Sequence, residues 1–258
     1  MGGFEGVGKK TQMVRELIRH ILLRCGLAGA VDLLRRWRGR STSHKRLGNL
    51  SDIFSHIYTS HAWVVEGSQD SLSGTGSTKA ATSELIVQLS EFLRETGCRK
   101  LVDIGCGDFN WMRNVEGDFD YLGIDVVPQL IDAHNAAYAS HRRKFLCMDA
   151  SGSAIPCGDV ALCREVLFHL SFHHGLQLLR NIKAAGFQYV LLTNDRCLWF
   201  NTDIQDGDYR RINLLKPPYN FPEPLRELAD DKGKDSHGRV MGVWRGAELP
   251  CYSPSIMR

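Results

Sequence analysis

Apolar positions recur along the chain with two different periods, and the alternation between those periods sets the architecture. Between Ala80 and Thr96, Leu85, Ile86, Leu89, Phe92 and Leu93 fall on one helical face, and Gly97 closes the segment. Short apolar runs follow at Lys100–Ile104, Tyr121–Ile124, Lys144–Met148, Val160–Cys163 and Tyr189–Thr193, each of strand length. Helical patterns separate them. One opens near Pro128, a residue the first turn tolerates, and runs to about Ala139; another covers Phe172–Ala185. Near the end, Leu225–Ala229 and Arg239–Trp244 suit an antiparallel hairpin across the polar loop Asp230–Gly238. Upstream, Thr11–Cys25 and Ala28–Trp37 read as two helical stretches, with Leu17, Ile18, Ile21 and Leu22 at helical spacing.

Strands that alternate with helices predict an α/β domain. The expected sheet is mostly parallel, seven-stranded and Rossmann-like, with helices on both faces and a terminal antiparallel hairpin. The 43% hydrophobic and 24% charged residues exclude wholesale disorder, and no run approaches the ~20 apolar residues of a spanning helix. Charge divides the chain. Residues 1–50 hold 11 Lys/Arg against 3 Asp/Glu, a net +8, whereas the remainder nets −5. Residues 1–49 therefore read as a basic amphipathic arm and linker, and residues 50–258 as the domain. Such an arm suits packing on the domain or a partner helix, an anionic membrane surface through residues 1–40, or nucleic-acid phosphates, the last the least favoured. Eight cysteines form no C-x-x-C pair, and the opening MGGFEGVGKK lacks an apolar centre. The expectation is a cytoplasmic protein, peripheral to a membrane if the arm binds one, with structural thiols and no metal.

In a parallel sheet of this kind ligands bind beyond the carboxyl ends of the strands. Asp103-Ile104-Gly105-Cys106-Gly107 places two glycines on the turn expected between the first strand and a following helix, where the backbone can approach a ligand closely. The third glycine of a dinucleotide fingerprint is replaced by Asn110, which weakens a pyrophosphate reading. Asp125 ends the second strand, where a carboxylate accepts hydrogen bonds from ribose hydroxyls, and Asp149 ends the third, placed to meet an adenine amino group.

These segments carry a family resemblance. LVDIGCGDFNWM, YLGIDVVPQLI, FLCMDAS and DVALCREVLFHLS resemble, in order, motifs I to IV of class I S-adenosylmethionine-dependent methyltransferases. The resemblance narrows to a bacterial-type group with three further marks: W…SGxGS, C-R-(D/E)-x-L-x-H-L-S, and G-D-(W/Y)-R-x-x-N-L…P-P-(F/Y)-N-F-P. Here they appear as Trp63 with SGTGS at 73–77, Cys163 through Ser171, and Gly207 through Pro222. The resemblance covers about residues 50–245. It implies S-adenosyl-L-methionine as cofactor, with Asp103, Gly105, Cys106 and Gly107 around its methionine part, Asp125 at the ribose and Met148, Asp149 and Ala150 at the adenine. It also implies Cys163 and Arg164 beside the sulfonium, and Ser73, Gly74 and Ser77 in a lid. Members often accompany carbohydrate or natural-product biosynthesis, which implies a small-molecule or glycan acceptor, expected to be methylated at oxygen.

A hydroxyl acceptor calls for a base, and His169 and Glu165, four residues apart, are the candidates. Each has a structural alternative: Glu165 paired with an arginine, His169 a satisfied histidine holding a loop. Asp195 suits an acceptor contact or a turn cap equally. Lys216-Pro217-Pro218-Tyr219 departs from the signature of amino-group methylation; with Trp199, Phe200, Tyr209 and Phe221 it shapes either an aromatic substrate wall or core. Two other functions share the pattern: a nicotinamide-dependent oxidoreductase, and a non-catalytic interaction protein that retains the fold.

Overall fold

The structure, a computed structural model, describes residues 47–64, 71–230 and 238–252, with scattered positions between 14 and 33. Much of the two arm stretches, Thr11–Cys25 and Ala28–Trp37, lies outside the described residues, although residues 17–23 are helical. Among the described residues no helix is long and apolar enough to cross a membrane.

Seven strands form one sheet: β1 (Lys100–Ile104), β2 (Asp120–Asp125), β3 (Arg143–Cys147), β4 (Val160–Cys163), β5 (Tyr189–Asp195), β6 (Arg226–Ala229) and β7 (Arg239–Arg245). Their order is β3-β2-β1-β4-β5-β7-β6. β1 to β5 run parallel, while β7 inserts antiparallel between β5 and β6. The sequence pattern anticipated this sheet and its terminal hairpin.

Period-two alternation sorts the strand residues onto two layers. On one face, Val102, Ile104, Ala161, Cys163, Val190 and Leu192 pack with α1 (Leu50–Thr59) and α4 (Phe172–Ala184). On the other, Leu101, Val160, Leu162, Leu191, Met241 and Val243 meet Leu85, Leu89, Phe92 and Leu93 of α2 (Lys79–Glu95). Leu89 is wholly buried, and each such side chain contributes roughly 1.5–3 kcal/mol. Helix starts are fixed locally. Asn49, Thr78 and Ser171 each accept a backbone N–H of the first turn, and Pro128 opens α3 (Pro128–Tyr138).

Two expectations change. The linker gives way at Leu50 to α1, whose Leu50, Ile53, Phe54 and Ile57 bury one face of a short segment that the sequence reading left unassigned. More consequentially, no α-helix follows β1. Residues 105–119 fold as turns with a 3-10 turn at Met112–Asn114. Phe109, Trp111 and Met112 are all buried, so the segment packs as an irregular plug with no polar helical face to turn outward.

Candidate functional site

A cleft of about 990 Å³, open to solvent, lies at the carboxyl ends of β1 to β4. Of the residues singled out from sequence, Ser73, Ser77, Asp103, Gly105, Cys106, Gly107, Asp125, Met148, Asp149, Ala150, Arg164, Glu165 and His169 line it. Gly74 and Cys163 do not. Gly74 backs onto Trp63, and the Cys163 thiol turns into the core, where burial pushes its pKa up. Leu50, Phe54 and Tyr58 of α1, which sequence reasoning missed, form a wall with Trp63, singled out there only as a mark of the resemblance.

The bend after β1 is the floor. Gly105 and Gly107 have φ of 74° and 56°, and the Gly105 and Cys106 amides donate to the Ile124 carbonyl at 2.7 and 3.0 Å. Both glycines are also sterically required. A Cβ at Gly105 would come 2.2 Å from Val166 Cγ2, and one at Gly107 would come 2.5 Å from Ser73 Oγ. The space vacated by the missing side chains is taken by Val166 and Ser73, while the bend itself lines the cleft.

Three carboxylates at this end are held chiefly by main-chain amides. Asp125 accepts from Gly107 N at 2.9 Å and Val127 N at 3.1 Å; burial pushes its carboxyl up, and those amides pull it partly back. On Asp149, three bonds from Ser151 N, Ser151 Oγ and Gly152 N converge on Oδ1, leaving Oδ2 without one among the described residues. Asp108, which the sequence reading overlooked, accepts from Ser71 Oγ at 2.7 Å and Leu72 N at 2.6 Å, while its own amide donates to Ser73 Oγ at 3.0 Å. Its place directly after Gly-x-Gly was the available signal. It fastens the 71–77 segment over the floor. Asn110 holds the far end through the Ser77 carbonyl, the task of the position where a dinucleotide site needs glycine.

Asp103 differs from these three. It is 3% exposed and accepts from the Tyr121 hydroxyl at 2.7 Å. Burial, opposed by Tyr121 and reinforced by Asp125, pushes its carboxyl up to about 7.

The opposite side of the cleft is built from side-chain ion pairs. Arg164 donates through Nε and Nη2 to Asp230 Oδ1 at 2.9 and 2.7 Å, and through Nη2 to the Gly76 carbonyl at 2.9 Å. Its guanidinium also lies over Trp111. Glu165 sits at φ 60°, its amide tied to Thr193 Oγ1 and its carboxylate 2.9 Å from Arg239 and 3.4 Å from Arg164. Burial pushes the Glu165 carboxyl up, but the two guanidiniums outweigh that and hold it below the usual carboxylate range. The expected α-helical relation between Glu165 and His169 gives way to a 3-10 turn, Val166–His169, yet both side chains still face the cleft.

The late G-D-Y-R segment anchors that turn. Gly207 N donates to the His169 carbonyl and Arg210 N to the Phe168 carbonyl. In return His169 Nδ1 stands 2.9 Å from the Asp208 carbonyl. A carbonyl only accepts, so Nδ1 carries the proton and Nε2 keeps its lone pair. Burial pushes the His169 pKa down, and the ring lies tilted against both Trp63 and Tyr209. Asp195 resolves as a turn cap: it accepts from Cys197 N and pairs with Arg211, away from the cleft. The aromatic wall divides into core, with Tyr219 and Phe221 buried, and surface, with Trp199, Phe200 and Tyr209 exposed.

Among the described residues no cluster of His, Cys, Asp and Glu is arranged to hold a metal. No protein-family model matches the sequence, and no curated protein is similar to it. Solved structures are similar. The magnesium protoporphyrin IX methyltransferase of Synechocystis PCC 6803, with bound SAM, superposes with a TM-score of 0.55 at 11% identity, covering 77% of this chain and 98% of that one. The N-methyltransferase NodS from Bradyrhizobium japonicum WM9 gives 0.50 at 14% identity, over 64% of this chain and 96% of its own. The chain therefore has the fold of these methyltransferases.

Proposed function

We propose that the chain transfers a methyl group from S-adenosyl-L-methionine to an oxygen of a small molecule or glycan. The observation that carries this reading is one cleft that joins Asp103, Asp125, Asp149 and the glycine bend to His169 with Nε2 unprotonated. The donor set fits the cofactor. Asp103, pushed up to about 7, gains from a cation beside it, and both the sulfonium and the ammonium of S-adenosylmethionine are cations. Asp125 retains lone pairs for ribose hydroxyls, and Asp149 Oδ2 for an adenine amino group. When bound, this cofactor supplies a methyl on a positively charged sulfur, which an acceptor lone pair displaces in line.

The chain's own residues then orient and deprotonate. Gly105–Gly107, the 71–77 segment and Trp63 enclose the reacting end, and such orientation accounts for roughly 7–11 kcal/mol of a barrier. His169 takes the acceptor proton on Nε2. Glu165, ionised and locked between arginines, is a poor base and acts instead by holding the turn that carries His169. Arg164 ties that turn to the lid.

A nicotinamide-dependent reading loses ground on one feature. A pyrophosphate needs the amides of a helix that opens at the glycine bend, and none follows β1.

Calorimetric titration of the purified chain with S-adenosylmethionine tests the proposal, beside fluorescence titration with NADH. Saturable binding of the first and none of the second is expected; NADH binding alone would overturn it. Mass spectrometry for the co-purified cofactor, followed by a methylation screen over metabolites and glycans, identifies the acceptor.

A further inference from the structure

We propose that the N-terminal arm docks the protein on an anionic lipid bilayer, an inference independent of the reaction above. Residues 17–23 are helical, as is Val14, and Val14, Leu17, Ile18 and Ile21 repeat at the spacing of one helical stripe. These four are 51, 40, 50 and 52% exposed. The helix is not detached from the domain. His20 Nδ1 accepts from the Asp203 amide at 2.9 Å, and its ring meets Phe172 edge-on at 6.2 Å. At 100° per residue His20 lies about 110° from the centre of the stripe, so the contact with the domain turns the apolar side outward. An amphipathic helix folded only for its own domain would do the reverse.

Two further observations specify the occupant. Trp199, 85% exposed, and Phe200 stand four and three positions before Asp203, so two large exposed aromatics neighbour the attachment point along the chain. Exposed tryptophan is the residue best suited to the boundary between lipid and water. Charge then selects among apolar partners. The first 50 residues net +8 and the remainder −5, so an anionic surface attracts the arm and repels the body. A second copy meeting it stripe to stripe would bring +8 against +8. Nucleic acid would satisfy the charge but leave the stripe and Trp199 uncovered. An anionic bilayer satisfies both.

Co-sedimentation of the full chain with vesicles decides it. Vesicles of equal parts phosphatidylcholine and phosphatidylglycerol should carry the protein into the pellet, and phosphatidylcholine vesicles should leave it in solution. The double variant L17Q/I21Q should weaken partition by about tenfold or more, and W199A by less. High salt should weaken it as well. Both substitutions fall on exposed residues, and circular dichroism should show the fold unchanged. Indifference to phosphatidylglycerol, or equal pelleting of L17Q/I21Q, would overturn the proposal. So would a doubled mass in light scattering lost in L17Q/I21Q, which would assign the stripe to a second copy.

Discussion

The two sides of the cleft are held by different means. On the β1–β3 side, carboxylates are fixed by main-chain amides a few residues away, as Asp149 is by Ser151 and Gly152, or across one strand pair, as Asp125 is by Gly107. On the β4–β5 side, guanidiniums and carboxylates bind each other across long stretches of chain: Arg164 to Asp230 and Gly76, Glu165 to Arg239. Amides cannot swing away or lose their protons. The first side is therefore rigid and tuned for recognition, whereas the second joins the lid, the 3-10 turn and the β6–β7 hairpin into one charged knot.

Substitutions separate the two. The largest effect is expected at His169, where His169→Ala should lower kcat by about 10²- to 10⁴-fold and leave cofactor affinity in calorimetry within about twofold. Arg164→Ala strands a buried Asp230 and should cost about 3–5 kcal/mol in urea unfolding, while Arg164→Met with Asp230→Leu recovers much of it. Asp125→Ala should weaken S-adenosylmethionine binding by about 1.5–3 kcal/mol. If it instead destabilises the fold as much as Arg164→Ala does, the contrast between the two sides is lost.

A pH dependence is expected as well. The Asp103 carboxyl is raised to about 7 from an ordinary 3.8, so the folded chain binds its proton more tightly than the unfolded one. That contribution to stability is complete below about pH 4 and disappears as pH rises through about 7. A cationic ligand requires the ionised form. Its affinity should thus increase with pH up to about 7, at most tenfold per unit, and Asp103→Asn should flatten the profile. The rate should fall in acid as His169 gains its proton, at a pH below the ordinary histidine value.

Legibility in the sequence followed the same division. Strands, hairpin and the amide-held acids could be read because their signals are local: an apolar run, then a polar residue at its end. Asp108 had a local mark, its place after Gly-x-Gly, but its partners at 71–73 stand 35 to 37 positions away and only the fold brings them to it. The partners of Arg164 and Glu165 stand 66 and 74 positions away, and no spacing rule reaches that far. The missing helix after β1 had a different cause. Phe109 and Met112 are spaced as on a helix, but Trp111 is buried with them and the segment folds as turns, which the apolar spacing does not reveal.

Val166 presses its methyl into the hollow above Gly105, three residues before the histidine that lines the cleft. Floor and base are therefore joined through one short turn, so a shift of the bend is expected to reach the imidazole. Thermodynamic reciprocity makes such a coupling run equally in both directions. A protein already holding its adenosyl partner should grip the acceptor more firmly, and the acceptor should return the favour by the same factor.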